Sequence, residues 1–317
     1  DYAFSGCTQL QQITIPNEVF GIGASAFRGC EQLTNVQLPT QLMYIGNQAF
    51  SECHSLRRVE IPENVETIAA NAFSNCSSLI AVDIKDGDEG IPLVIGERAF
   101  YGCTALREIT MPYRAEDIQE EAFMNCRALE TVNTNMVSQL GDGVFSGCTA
   151  LRSIHLSMLL EKLPTRTFAN CTSLQDVYLP MDMLRVESDA FKDCTGLKSI
   201  TINETLSFID KNALPVGSRV TICAPQGSYA QRWAHENGYA YAEDKGAVSE
   251  FCDTTMDRVI SRTFSVSTNA MTSKGWTTFS WIDSESQAPY SVRYTLYIPD
   301  SKIKQYTYNR TNIQSQS

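Results

Sequence analysis

The sequence predicts an α/β repeat fold. It is a solenoid of stacked coils with a parallel β-sheet on its concave face, followed by a small β-rich C-terminal module. Three observations predict it. A Phe-x-x-Cys-x-x-Leu triplet recurs nine times at one spacing. A short alternating segment, often closed by Pro, follows the triplet within each unit. From about Lys245 the period vanishes while alternation continues.

The triplets stand at Phe4/Cys7/Leu10, Phe27/Cys30/Leu33, Phe50/Cys53/Leu56, Phe73/Cys76/Leu79, Phe100/Cys103/Leu106, Phe123/Cys126/Leu129, Phe145/Cys148/Leu151, Phe168/Cys171/Leu174 and Phe191/Cys194/Leu197. Steps of 23, 23, 23, 27, 23, 22, 23 and 23 residues separate the phenylalanines, a period that belongs to solenoids. A Phe-to-Cys spacing of three suits a single helical or 3₁₀ turn that points both side chains one way. ITIP (13–16), VQLP (36–39), VEIP (59–62), ITMP (109–112) and VYLP (177–180) alternate with period two and so read as strands that Pro stops. Apolar positions such as Val65/Ile68, Ile45-Gly46 and Ile95-Gly96 lead into the next Ala-Phe. Neither half of a unit buries its apolar side alone. Stacking aligns Phe on Phe, Cys on Cys and Leu on Leu, with strands roughly 4.8 Å apart. About seven side chains buried per coil, at roughly 1.5–3 kcal/mol each, offset the ordering entropy only when neighbours are present.

The tenth unit loses Phe and Cys and reads NALPVGSRVTICAP. YAQRWAHENG follows, with Ser228 as N-cap and Gly238 as C′ stop, which predicts a capping helix at about 228–237 covering the last coil with Ala230, Trp233 and Ala234. This divides the chain into a capped solenoid, 1–244, and a module, 245–317. In the module VISRTFSVS (259–267), WTTFSWI (276–282) and YSVRYTLYI (290–298) read as three or so mostly antiparallel strands.

The AF-x-x-C-x-x-L-x-x-I-x-I-P pattern resembles leucine-rich repeats, and more narrowly the BspA-like group. Residues 1 to about 225 carry the motif, and the cap, which matches how such arrays often finish, extends the resemblance to about 243. It implies a leucine-rich-repeat solenoid with right-handed coils. One departure is that no Asn occupies the usual ladder position after the strand; the Cys here precedes the Leu, on the turn side.

Composition narrows the function. The 317 residues are 43% hydrophobic and 19% charged, ordinary for a folded domain. A formal charge of −11 argues against nucleic acid or anionic membrane as partner. No run of eighteen apolar residues predicts a membrane span, and no leader is visible. The chain starts at DYAFSGC without Met, in mid-repeat, and so reads as a fragment whose missing leader says little about compartment.

Cys53-His54 holds the raw material of a nucleophile or a metal site, yet Cys53 is one rung of nine. A buried Cys behaves as a small hydrophobe with a weak donor. A disulfide ladder fails because in-register side chains keep parallel Cβ vectors at strand spacing. A linear row offers an ion only two close sulfurs, where zinc wants four ligands. Cys223 and Cys252 lie outside the ladder and could pair with each other. His155 and His235 are isolated from His54, so no triad or zinc cluster assembles. The insertion Lys85-Asp86-Gly87-Asp88-Glu89-Gly90 lacks the ligand order of a calcium loop and reads as an exposed bulge. Gly21-Ile22-Gly23 is part of a coil turn, not a phosphate loop. Sequons at Asn75, Asn170, Asn203 and Asn309 matter only in a eukaryotic secretory pathway. No catalytic residue, cofactor or metal is expected.

The candidate site is the row of strand positions facing the concave side: Arg58, Glu60, Asp83, Glu108, Thr110, Asn133, His155, Asp176 and Tyr178. Glu60, Asp83 and Glu108 form a slightly acidic stripe, and Tyr178 is an aromatic anchor. BspA-like proteins sit on bacterial surfaces and on some parasitic protists and are implicated in adhesion. The resemblance therefore implies a non-enzymatic, extracellular recognition protein whose partner is a host matrix protein or another cell surface. The second reading is a carbohydrate-binding or wall-anchoring protein in which Trp276, Trp281 and Tyr297 of the module stack on glycan and the repeats serve as spacer.

Overall fold

The computed structural model describes residues 1–87, 91–134, 136–215 and 219–244, and beyond them the backbone of three strands, Phe264–Asn269, Trp276–Asp283 and Tyr294–Tyr297. The chain divides into two compact units, Asp1–Lys245 and Gly246–Ser317.

In the first unit each triplet opens one coil of a parallel-strand solenoid, and each coil supplies two strands. The first row runs from Gln12–Thr14 through Arg58–Ile61, Ala81–Ile84 and Glu108–Thr110 to Ser199–Thr201 and Thr221–Ala224. Its strands stack parallel and in register, Val59 opposite Val82 and Val82 opposite Ile109. The second row is built from the Ile-Gly segments: six strands from Gly21–Ile22 to Gln139–Leu140, then three from Lys162–Leu163 to Phe208–Ile209. The single sheet read from the sequence is therefore only part of the β structure. Strands of two residues such as Tyr44–Ile45 are too short to show alternation.

The Phe-to-Cys segment is a β-turn and not the helical or 3₁₀ turn expected. The Cys53 N–H donates to the Phe50 carbonyl at 3.3 Å, with Glu52 in the left-handed region at φ 64°. A positive φ at the second central residue is what a type II turn requires. Every coil repeats this two residues after the Phe, at Gly6, Gly29, Glu52, Asn75, Gly102, Asn125, Gly147, Asn170 and Asp193. A second left-handed residue stands two before the Phe, at Gln48, Arg98 and Arg166 among others. These paired reversals turn Phe and Cys together into the core.

The core is one continuous column. Successive Phe rings stack with centroids 5.0 to 5.8 Å apart, and Phe50 through Phe191 are fully buried. Backbone bonds lock the coils, Phe50 N–H to Ala72 O and Phe73 N–H to Ala99 O both at 2.7 Å. At the end of the array Thr221–Ala224 pairs in parallel with Ala240–Glu243. Between them runs the helix Tyr229–Glu236, whose first turn is capped by Ser228 accepting the Gln231 N–H at 3.2 Å. Its Ala230, Trp233 and Ala234 are buried.

In the second unit the three strands form an antiparallel sheet, Phe264–Asn269 and Tyr294–Tyr297 flanking Trp276–Asp283. Cys252 lies outside the described residues, and so does the pairing with Cys223 that the sequence leaves open.

Candidate interaction surface

The thiol ladder held the sequence's best candidate chemistry. Each buried thiol donates to the carbonyl of the Phe one coil earlier: Cys53 to Phe27 at 3.2 Å, Cys76 to Phe50 at 3.1 Å, Cys126 to Phe100 at 3.2 Å and Cys194 to Phe168 at 2.9 Å. Burial, the largest cause, raises these thiols, Cys76 and Cys126 well above their ordinary range and Cys148 and Cys194 to about 12. A thiol so raised stays protonated, which keeps it a donor and denies it thiolate reactivity. His54 is exposed, with Nδ1 3.0 Å from the Asn75 carbonyl oxygen, whereas the Cys53 thiol donates to Phe27 O.

The candidate row lies on the first set of strands. Arg58, Glu60, Asp83, Glu108, Asn133, His155, Asp176 and Tyr178 are all exposed, alternating with buried Val59, Val82, Ile109, Val132, Ile154 and Val177. Thr110 stands opposite Asp83 in the register, and its side chain is outside the described residues. Ala81, between Arg58 and Glu108, is buried at 7% exposure and offers no contact surface.

The register brings the nine residues into three groups. Glu60, Asp83 and Thr110 sit side by side, with Arg58 and Glu108 flanking Ala81 in the neighbouring row. Asn133 lies opposite His155. Asp176 and Tyr178 share a strand that pairs with Ser199–Thr201, where the Ser199 hydroxyl donates to Asp176 Oδ1 at 2.6 Å. The hydrogen-bonded ladder breaks between Glu108–Thr110 and Thr131–Asn133 and again between Ser153–His155 and Asp176–Tyr178.

Two residues outside the candidate row, Lys85 and Arg114, reshape this surface. Lys85 follows the strand Ala81–Ile84, and its ammonium lies 2.7 Å from Asp83 Oδ2 and 3.3 Å from Glu60 Oε1. The Asp83 and Glu60 carboxylates hold the Lys85 ammonium above its usual range. The acidic stripe is thus bridged by a cation, leaving Glu108 outside that bridge. Arg114 supports the four-residue insertion: Nη1 donates to Val65 O at 2.5 Å, Nη2 to Pro62 O and Nε to Lys85 O at 3.4 Å each. The Tyr113 N–H donates to Asp86 Oδ1 at 2.7 Å, so the start of the insertion is tied to the next coil. Asp88, Glu89 and Gly90 are outside the described residues. The period of 27 flagged the longer coil, but one sequence does not show which side chain fills the gap.

Among the described residues no group of three or more His, Cys, Asp or Glu side chains is placed to hold a metal, and no helix is long and apolar enough to cross a membrane.

Stacked two-strand coils with a buried Phe-Cys-Leu column define a leucine-rich-repeat solenoid. The model of the BspA type leucine rich repeat region matches residues 1–92 and 93–216 in six copies, and the chain belongs to that family. A leucine rich cell surface protein of Faecalibacterium prausnitzii A2-165 is 26% identical over 70% of this chain and 81% of its own, with a TM-score of 0.37. A leucine-rich repeat protein of Bacteroides ovatus is 21% identical over 77% and 86%, TM-score 0.33. One from T. pallidum is 24% identical over 58% and 85%, TM-score 0.35. No curated protein matches the chain.

Proposed function

We propose that the protein is a non-enzymatic, cell-surface or secreted recognition protein that binds a protein ligand across the exposed face of its first strand row. The observation that carries this reading is the row itself: exposed Arg58, Glu108, His155, Asp176 and Tyr178 stand on strands whose alternate residues are locked in the core. A rigid scaffold lowers the entropy lost on binding, and exposed polar side chains at fixed intervals supply specificity. Tyr178, 49% exposed, is the aromatic anchor of the row. The ladder thiols are protonated donors, so the reading assigns them to the scaffold. The partner is a matrix or surface protein with a basic complement to Glu108 and Asp176, and the setting is extracellular.

Solid-phase binding to a panel of matrix proteins tests it. Tyr178→Ala and Glu108→Lys are each expected to weaken attachment about tenfold, while deletion of 246–317 leaves it unchanged. Attachment that survives both substitutions and is lost with the deletion would move the function to the C-terminal unit.

A further inference from the structure

The bend between the two strand rows is a β-turn in coil after coil, closed by bonds such as Val65 N–H to Pro62 O at 3.2 Å and Leu160 N–H to Ser157 O at 3.2 Å. The two central residues of such turns are normally polar. In the first three coils they are Asn17-Glu18, Thr40-Gln41 and Glu63-Asn64. In coils five to eight the same tips carry Tyr113, Met136, Met158-Leu159 and Met181. Tyr113, Met136, Met158 and Leu159 are 47 to 54% exposed, and Leu184 beside them is 42% exposed. Three consecutive coils therefore expose apolar side chains at tips where turn chemistry calls for polar ones, and the eighth coil adds half-buried Met181 and exposed Leu184. Grouped exposed apolar residues mark interaction sites.

We propose that these turn tips form a docking edge for a basic amphipathic helix of a partner protein, laid along the stacking axis with one apolar anchor per coil. Spacing carries the helix. From coil five to coil eight the Phe rings step by 5.2, 5.7 and 5.8 Å. An α-helix advances about 5.4 Å per turn, so anchors on one helix face stay in step with successive coils. Same-face residues of an extended strand advance about 6.7 Å and fall out of step by about 1 Å per coil.

Charge carries the sign. Glu116, Glu161 and Asp182 are exposed beside the tips, while Arg114 is bound to backbone carbonyls and Arg185 is paired with Glu187 at 2.8 Å and lies over the Phe208 ring. The whole unit to Lys245 holds 30 acidic and 18 basic residues. Flexible Met side chains in an acidic setting suit an apolar helix face rimmed by Lys and Arg. This edge is separate from the strand face, and neither reading depends on the other.

The test uses the full chain and a synthetic helical peptide of about 18 residues with Leu at i, i+4, i+7 and i+11 and Lys on the rim, followed by fluorescence anisotropy. The native chain is expected to bind it, and Met158→Gln/Leu159→Gln to weaken binding at least about tenfold. Glu161→Lys weakens it severalfold, and Glu108→Lys on the strand face leaves it unchanged. The first three coils already carry polar residues at these turn positions; should the double variant fail a circular-dichroism check, Leu159→Gln alone replaces it. Equal binding of a scrambled peptide of the same charge, or no effect of the Gln variants, overturns the proposal. So does a native dimer in ultracentrifugation that the Gln variants convert to monomer, because the occupant would then be a second copy.

Discussion

The thiol of Cys103 donates to the carbonyl oxygen of Phe73, one coil earlier, at 3.1 Å, and that same oxygen accepts the Cys76 N–H of its own coil at 3.3 Å. Both lone pairs of a fully buried carbonyl are thereby used, one within the coil and one between coils. Ala fills less of the space and donates nothing; Ser donates but is smaller. Cys meets both needs at once. Cys103→Ala is expected to cost about 1–2 kcal/mol through the lost bond and the small void. Urea denaturation at neutral pH measures it; a change within error would mean the thiol is filler alone.

Alkali attacks the same ladder. Burial holds Cys148 and Cys194 up at about 12, against an ordinary 9.0. The folded chain keeps these protons where the unfolded chain releases them, so stability is complete below pH 9 and falls as pH rises toward 12. The slope is about 1.4 kcal/mol per pH unit for each such thiol. Denaturation midpoints at pH 8 and at about pH 10.5, compared between the native chain and Cys148→Ala, isolate one rung. The variant should lose less over that interval.

Lys85 and Arg114 make opposite predictions although both are cations near the insertion. Lys85 bridges Glu60 and Asp83 in the open, with its side chain 42% exposed, so Lys85→Ala should leave stability nearly unchanged. Arg114 is half-buried, its guanidinium held below its usual range first by burial, and it donates to three carbonyls. Arg114→Ala should cost about 2–3 kcal/mol by leaving those carbonyls without their donor. Thermal unfolding of the two variants side by side checks the order, and equal losses would contradict it.

The Phe, Cys and Leu columns and the first strand row were legible because each coil writes them again at the same place. Part of the turn geometry was legible too: the residue before Cys is Gly, Asn or Asp in eight of nine coils, the types that reach positive φ easily, with Glu52 the exception. The reversal two residues before Phe was not, since Gln48, Arg98 and Arg166 give no such signal and are held there by the coils above and below. Two-residue strands hid the second row. The capture of Glu60 and Asp83 by Lys85 depends on adjacency across coils of different length, which alignment by triplet obscures. The apolar turn tips were written plainly at Met136, Met158 and Leu159, but their exposure is known only once the core is seen to be filled by other residues.

The most direct test of the account is native-state alkylation of the cysteines with iodoacetamide, read out residue by residue by mass spectrometry. The account predicts that exposed Cys7 is modified quickly, while Cys53, Cys76, Cys103, Cys126 and Cys148 are modified only at the rate at which the array unfolds. Modification of Cys76 or Cys103 as fast as Cys7, with the fold intact, would contradict it.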